Sequence, residues 1–189
     1  GAFHVAGSPT AARSWAEIAG DAGEPLVGLS DFAQAGATFP FGTHIAVAEV
    51  DTETGHATVE RIIAVDDAGV IINPLLAAGQ IHGGLAQGIA QALLEEFRYD
   101  EDGNPQTSNL ADYTAISMME VPMYERSFTE TSTPRNPLGA KGIGEAGSIG
   151  STPAVQSAVI DALAPFGIRH LDMPLTPERI WSALQSSGA

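Results

Sequence analysis

A glycine-rich stretch from Pro137 to Gly150 constrains this chain more than any other part of its sequence. Its fourteen residues, PLGAKGIGEAGSIG, include five glycines, one lysine and one glutamate. Glycine is costly to order, so a chain concentrates it where a turn or a close-lying ligand needs backbone without side chains. Ser151-Thr152-Pro153 then carries helix-start signals ahead of an apolar-periodic run. The sequence therefore predicts a glycine loop that delivers Glu145 shortly before a helix N-terminus, where N–H groups and the helix dipole favour anions.

Residues 142–147 match the G-x-G-x-x-G spacing of a dinucleotide-binding turn, but their context does not fit that motif. Such a turn directly follows a strand, whereas residues 133–137 contain two prolines. A carboxylate within the turn would also repel a pyrophosphate, and a Walker A loop is excluded because Lys141 precedes its glycine. Two interpretations remain from the residues alone: a plain loop with a solvated glutamate, or a glycine loop that holds Glu145 against a ligand as a general base.

The longest predicted helix runs from Pro74 to about Phe97, with apolar residues at three- and four-residue spacing. It carries four glycines that each cost up to about 1 kcal/mol relative to alanine. These glycines allow another backbone or a bulky ligand to approach. Gln80 and Gln87 are seven residues apart, share a face and are suited to hydrogen-bonding a ligand. Helix packing with solvated glutamines and ligand binding are both consistent with this pattern.

Other segments predict a scaffold of strands and short helices. Two β-rich runs with turn chemistry between them predict a β-hairpin over residues 44–66, which we interpret as scaffold without chemistry. A weaker alternation predicts a strand over residues 124–130. Thr176-Pro177-Glu178 begins a final helix. Residues 1–43 lack the periodicity to bury a core of their own, apart from a short helical segment with Ser14 as N-cap.

Composition narrows the possible functions. The 189 residues carry a net charge of −15, with eight basic residues that form no cluster, which argues against nucleic acid or an anionic membrane as partner. The absence of cysteine excludes disulfides and cysteine-ligated zinc or iron–sulfur sites within this chain. The five histidines lack metal-ligand spacing, so no residue is predicted to bind a metal directly. No signal peptide or membrane-spanning run is evident, and the cytoplasm is the simplest compartment.

The segment Lys-Gly-Ile-Gly-Glu-Ala-Gly at residues 141–147 resembles the active-site loop of the molybdenum hydroxylases, the xanthine oxidase family. It is especially similar to the carbon monoxide dehydrogenase large-chain type. The resemblance implies that Glu145 lies beside molybdenum as the general base. It also implies that Lys141, Gly142, Ile143 and Gly144 line the pterin cofactor.

A second segment, residues 73–88, resembles the other cofactor-contacting part of the same family. Gln80 is the first residue that this resemblance assigns to the cofactor, and Gln87 is the second. The family commonly has an acidic residue where this chain has Ala78. The similarity extends to the C-terminus and so covers essentially the whole chain.

The resemblance implies a mixed α/β fold, with a β-hairpin or sheet packed by a long glycine-rich helix and two C-terminal helices. Residues 1–43 form an irregular edge that continues from an upstream part, and residues 44–189 form the C-terminal molybdopterin-binding region. The implied cofactor is molybdopterin, as its cytosine dinucleotide, with molybdenum, shared with the upstream part.

The implied activity is oxidation or hydroxylation of a small substrate with water-derived oxygen. The implied partners are the remainder of the large subunit, an iron–sulfur subunit and a flavin (FAD) subunit, and this chain alone is expected to be inactive. The alternative is a non-catalytic folding or assembly module that only completes a larger complex. Cofactor separates the two, since only the enzyme needs molybdenum and pterin bound once the upstream part is present.

Overall fold

The computed structural model describes residues 1–188, which divide into two compact units, the first over Gly1–Gln34 and the second from Ala35 onward. The first unit pairs two short strands, β1 (Ala2–Phe3) and β2 (Arg13–Ser14), and continues into α1 (Trp15–Ala22). Ser14 is the N-cap of α1 and forms a capping box with Glu17, as its sequence predicts. No residue of this unit is buried, which agrees with the lack of apolar periodicity.

The second unit is built on a three-stranded sheet of β3 (Phe41–Val50), β4 (Ala57–Asp67) and β5 (Tyr124–Thr129). β3 and β4 form the predicted antiparallel hairpin, and β5 lies parallel to β4 on its other side. The hairpin closes because the Asp51 carboxylate accepts a backbone hydrogen bond from Glu53 at 2.8 Å, while Gly55 turns the chain at a φ of 75°. The β5 prediction is also confirmed.

Helix α2 (Pro74–Leu93) begins where the sequence predicts, but it ends before Phe97. Asn73 is its N-cap, with its side-chain oxygen 3.1 Å from the backbone nitrogen of Leu75. Phe97 continues the apolar spacing in sequence, yet it is exposed and lies against Tyr99 in irregular chain. The helix therefore ends with its last core residue, Leu93.

Helix α3 (Ala146–Leu163) starts earlier than predicted, and Pro153 lies within it rather than at its start. The reason is tertiary: the first turn packs on α2, which favours helix upstream of the proline. Within that turn, the Thr152 hydroxyl donates to the Ser148 carbonyl at 3.2 Å. Glu145 is consequently the N-cap residue itself rather than part of a loop that ends some residues before the helix.

The remaining helix, α4 (Pro177–Ser187), has Thr176 as N-cap and Pro177 at its first position, as predicted. Helix α3 packs against β3 and against α2, and the core is formed from buried side chains of the sheet, α2, α3 and α4. The largest fully buried apolar residues are Ile62, Ile81, Leu85, Ile89, Leu163, Leu175, Ile180, Leu184, Val155 and Val159. The mixed α/β fold with a long glycine-rich helix and two C-terminal helices is confirmed. Each helix within residues 1–188 is too short or too polar to cross a membrane.

Candidate functional site

Helices α2 and α3 meet through glycines, and this contact creates the candidate site. A Cβ atom on Gly84 would lie 2.7 Å from the Cα atom of Gly147. One turn further along, the Ser151 hydroxyl donates to the Gly84 carbonyl at 3.3 Å and occupies the space that a side chain at Gly88 would need. Two of the four α2 glycines therefore serve helix packing. The close approach brings the exposed face of α2 next to the start of α3.

Gly79 and Gly83, the other two α2 glycines, face open space, since no atom lies within 4 Å of a Cβ atom built on either. The sequence pattern left packing and ligand approach open for all four glycines. The structure divides them between a packing pair and an accessible pair.

Gln80 and the glycine loop lie together at one end of this contact. The Nε2 atom of Gln80 is 3.6 Å from the position that a Cβ atom on Gly144 would take, and Gly142 has no neighbour within 4 Å of such an atom. Gln80 and Ile143 also line a hollow of about 270 Å³ between the strand ends and α2. Lys141 lines the same hollow. Three predicted residues therefore meet there, Gln80, Lys141 and Ile143, and the other predicted loop residues, Gly142, Gly144 and Glu145, adjoin them in the chain.

Glu145 is exposed at the N-terminus of α3, and its side chain makes no capping hydrogen bond. Its position comes from its backbone: the Glu145 carbonyl accepts from the Ile149 N–H at 3.0 Å and from the Ser148 hydroxyl at 3.1 Å. An exposed carboxylate beside bare glycine backbone can accept a proton from a ligand seated there.

Gln87 lies apart from this group. It lines a separate hollow of about 510 Å³ with Gln91, Glu95, Tyr113 and Ser148. Ser148 stands on the first turn of α3, so this second hollow borders the start of that helix. The assignment of Gln87 to the cofactor stays a prediction.

The charged end of Lys141 points into the protein rather than outward. Its Nζ atom lies 3.0 Å from Oδ1 of Asp67, and it also stands 4.8 Å from the centre of the Phe41 ring. The side chain of Lys141 is 8% exposed and that of Asp67 is 0% exposed. The cofactor contact predicted for Lys141 is not tested by this pairing, but its ammonium group already has a partner within the chain.

The Asp67 carboxylate accepts hydrogen bonds from four groups at this end of the sheet. It accepts from the Gly69 N–H at 2.9 Å, the Thr131 N–H at 2.7 Å and the Thr129 hydroxyl at 3.0 Å, as well as from Lys141. Burial alone raises the pKa of Asp67, but the hydrogen bonds from Gly69, Lys141, Thr131 and Thr129 outweigh it and hold that pKa well below its usual range.

A second buried pair was also absent from the sequence predictions. Nε2 of His44 lies 3.1 Å from Oδ1 of Asp66, and both side chains are almost fully buried. Within residues 1–188, Nδ1 of His44 has no hydrogen-bond partner. The sequence signal was the acidic pair Asp66-Asp67 at the end of an apolar strand, where solvated carboxylates are not expected.

Comparison with known proteins identifies the fold. A family model described as a molybdopterin cofactor-binding domain matches residues 1–122, which is more than half of the chain. The chain belongs to this family. Gln80 and Gln87 fall inside the matched range, whereas the glycine loop and Glu145 lie beyond it.

Longer relatives of the family extend the similarity over the whole chain. The carbon monoxide dehydrogenase large chain of Hydrogenophaga pseudoflava is 39% identical over 191 residues, which cover 97% of this chain and 24% of that protein. Among solved structures, the Cu,Mo-CO dehydrogenase in its carbon monoxide reduced state superposes with a TM-score of 0.89 at 34% identity, covering 99% of this chain and 24% of the other. The quinoline 2-oxidoreductase of Pseudomonas putida 86 gives a TM-score of 0.88 at 37% identity, with 98% and 25% covered. The chain thus spans about a quarter of the length of the relatives it matches.

Proposed function

We propose that this chain forms the C-terminal molybdopterin-binding part of the large subunit of a molybdenum-containing oxidoreductase. The observation that carries the proposal is the grouping of Gln80 with Gly142, Ile143, Gly144 and Glu145 at the meeting point of α2 and α3. The family and the relatives described above support it.

The residues present fit a flat, polar cofactor. Gly142 and Gly144 expose backbone that any side chain would cover, and Gln80 places an amide beside them. Gly142, Ile143, Gly144 and Gln80 would hold the molybdopterin, with Lys141 contributing backbone and Gln87 a second amide. The bound group would supply the two-electron redox chemistry.

Glu145 is the general base in this proposal. Glu145 directly follows Gly144, is exposed and carries no capping hydrogen bond that would have to break. A side-chain oxygen of Glu145 can therefore take up the proton that oxygen transfer to substrate releases. Gln80 orients the bound group, and the rest of the subunit excludes water.

The form of the cofactor, the substrate and the path of the electrons involve groups outside this chain. The cofactor is proposed in its cytosine dinucleotide form, and the substrate is a small molecule. Electrons leave through iron–sulfur and FAD-containing partner subunits, since this chain has no cysteine to ligate a cluster. The carbon monoxide dehydrogenase and quinoline 2-oxidoreductase similarities are nearly equal and favour neither substrate class, so the test measures cofactor binding.

The test uses Gly142→Val and Gly144→Val in the complete large subunit. Neither glycine has a positive φ, and added side chains would meet open space or Gln80 at an ordinary distance, so folding should be preserved. Molybdenum and pterin content, measured by elemental analysis and by fluorescence of the released pterin, should fall at least about tenfold because the side chains fill the binding surface. The control is Gly28→Val in an exposed loop, which should bind as wild type. Full cofactor content in both loop variants would contradict the proposal.

A further inference from the structure

We propose that Asp66 and Asp67, at the end of β4, are positioning residues that hold Glu145 from both sides. Neighbouring residues of a strand point to opposite faces of a sheet. Asp67 binds Lys141, four residues before Glu145, and Asp66 binds His44, whose ring lies against Gly150, five residues after it. The positioning of Glu145 is argued from contacts within the chain, and only its role as general base rests on the proposed function.

The Asp67 side of this arrangement holds the start of the loop. Beyond the ion pair, the Lys141 N–H donates to the Ala68 carbonyl at 2.8 Å, and the Val70 N–H donates to the Gly139 carbonyl at 3.0 Å. Gly69 and Gly139 both adopt positive φ, and a Cβ atom on Gly69 would overlap the Gly139 carbonyl oxygen. The loop is thus tied to the end of β4 by backbone and side chain together.

The Asp66 side holds the first turns of α3. The Asp66 carboxylate occupies the space that a side chain on Gly42, its pairing partner in β3, would need. It lies 3.1 and 3.2 Å from Nε2 of His44. The other edge of that ring reaches α3, where a Cβ atom on Gly150 would lie 2.5 Å from Nδ1.

The position of Glu145 depends on these two attachments because its own side chain is not held. The side chain makes no capping hydrogen bond, so its place relative to Gln80 is set by the backbone on each side. Buried polar and charged groups are costly and are retained where they are paired or hydrogen-bonded. Two such pairs lie at the end of β4, and they contact the first and last residues of the segment 141–150. This arrangement fits a role in positioning Glu145, which lies between them.

The first measurement is amide hydrogen exchange over residues 142–149 in the 189-residue chain, which needs no cofactor. The double variant Asp67→Asn with Lys141→Gln removes both charges of the pair and leaves no unpaired buried charge. Gly150→Ala pushes against His44 while it raises helix propensity. We expect each to speed exchange in residues 142–149 by about tenfold or more, and by a larger factor than any change in the core of α2, where exchange reports unfolding of the whole domain.

The matched control is Arg61→Met, which breaks an exposed ion pair that also starts from β4 but joins it to Glu125 of β5. It should leave exchange in residues 142–149 at the wild-type rate. Unchanged exchange in the Asp67/Lys141 double variant would overturn the proposal. Unfolding of the whole domain in that variant would overturn it as well, because the pair would then hold the domain and not the loop.

The second measurement uses the molybdenum-loaded enzyme. The double variant should retain molybdenum content and KM within about twofold, while kcat falls at least about tenfold because the base is displaced. A rise in KM with unchanged kcat would contradict the proposal that these residues position the base. If exchange in residues 142–149 is faster in the double variant but the wild-type subunit binds no molybdenum, the proposed function is wrong. The conclusion that Asp66 and Asp67 position Glu145 would still hold.

Discussion

Gly84 of α2 and Gly147 of α3 meet backbone to backbone, with no room for a side chain on either. A Cβ atom on Gly84 would lie 2.7 Å from the Gly147 Cα atom, and one on Gly147 would lie 2.7 Å from the Ile81 carbonyl oxygen. This contact sets how near Gln80 comes to the loop that carries Glu145.

Gly84→Ala is therefore expected to destabilise the domain, and Gly83→Ala is its control. Both substitutions gain up to about 1 kcal/mol of helix propensity. Only Gly84 adds a methyl group to a filled contact, which costs about 1–3 kcal/mol. Urea denaturation should place Gly84→Ala below Gly83→Ala in free energy of unfolding. Equal values would mean that α2 and α3 can separate without cost.

Lys141→Met should destabilise the domain far more than Arg61→Met. Removing the lysine leaves the fully buried Asp67 carboxylate without its cation, and breaking such a buried pair costs about 3–5 kcal/mol. Arg61 and Glu125 form an exposed pair that solvent screens. Thermal or urea unfolding of the two variants measures the difference. A Lys141→Met protein as stable as Arg61→Met would show that the buried pair adds nothing to the fold.

Asp67 should also shape the stability of the domain in acid. Because its pKa in the folded protein lies below its value of about 3.9 in an unfolded chain, its contribution is fully present above about pH 4. That contribution is lost as the pH falls further, through the folded pKa. Asp67→Asn should therefore be less stable than wild type at neutral pH, and the gap should narrow as the pH falls below about 4. Urea midpoints from pH 7 down to pH 3 test this, and a constant gap would contradict the assignment.

Local signals in the sequence accounted for much of the fold. The hairpin, β5, the start of α2 and the start of α4 each follow from turn chemistry, alternation or capping residues that act within a few positions. The start of α3 did not, because Pro153 suggested a first turn whereas packing of Gly147 on Gly84 extends the helix upstream of it. The end of α2 was misplaced for a related reason: Phe97 keeps the spacing but lies outside the core.

The candidate site was predictable where it follows from adjacent residues, as for Gly142 to Glu145. Gln80 was predicted from a separate segment on α2, and the structure places it next to Gly144 of the glycine loop. The partners of Lys141 and His44 were not predictable, since Asp67 and Asp66 lie 74 and 22 positions away in sequence. The β3–β4 hairpin brings His44 to Asp66, and the folding of the glycine loop against the end of β4 brings Lys141 to Asp67.

Turnover of Glu145→Gln in the complete, molybdenum-loaded enzyme tests the general base most directly. Glutamine keeps the size of the side chain but cannot take up the proton. Molybdenum and pterin content should stay at wild-type levels while kcat falls by about 10²-fold or more, the usual contribution of a positioned base. Glu53→Gln, which changes an exposed carboxylate in the hairpin turn, is the control and should turn over as wild type. Wild-type turnover by Glu145→Gln at saturating substrate would contradict the account and leave Glu145 as a solvated N-cap residue.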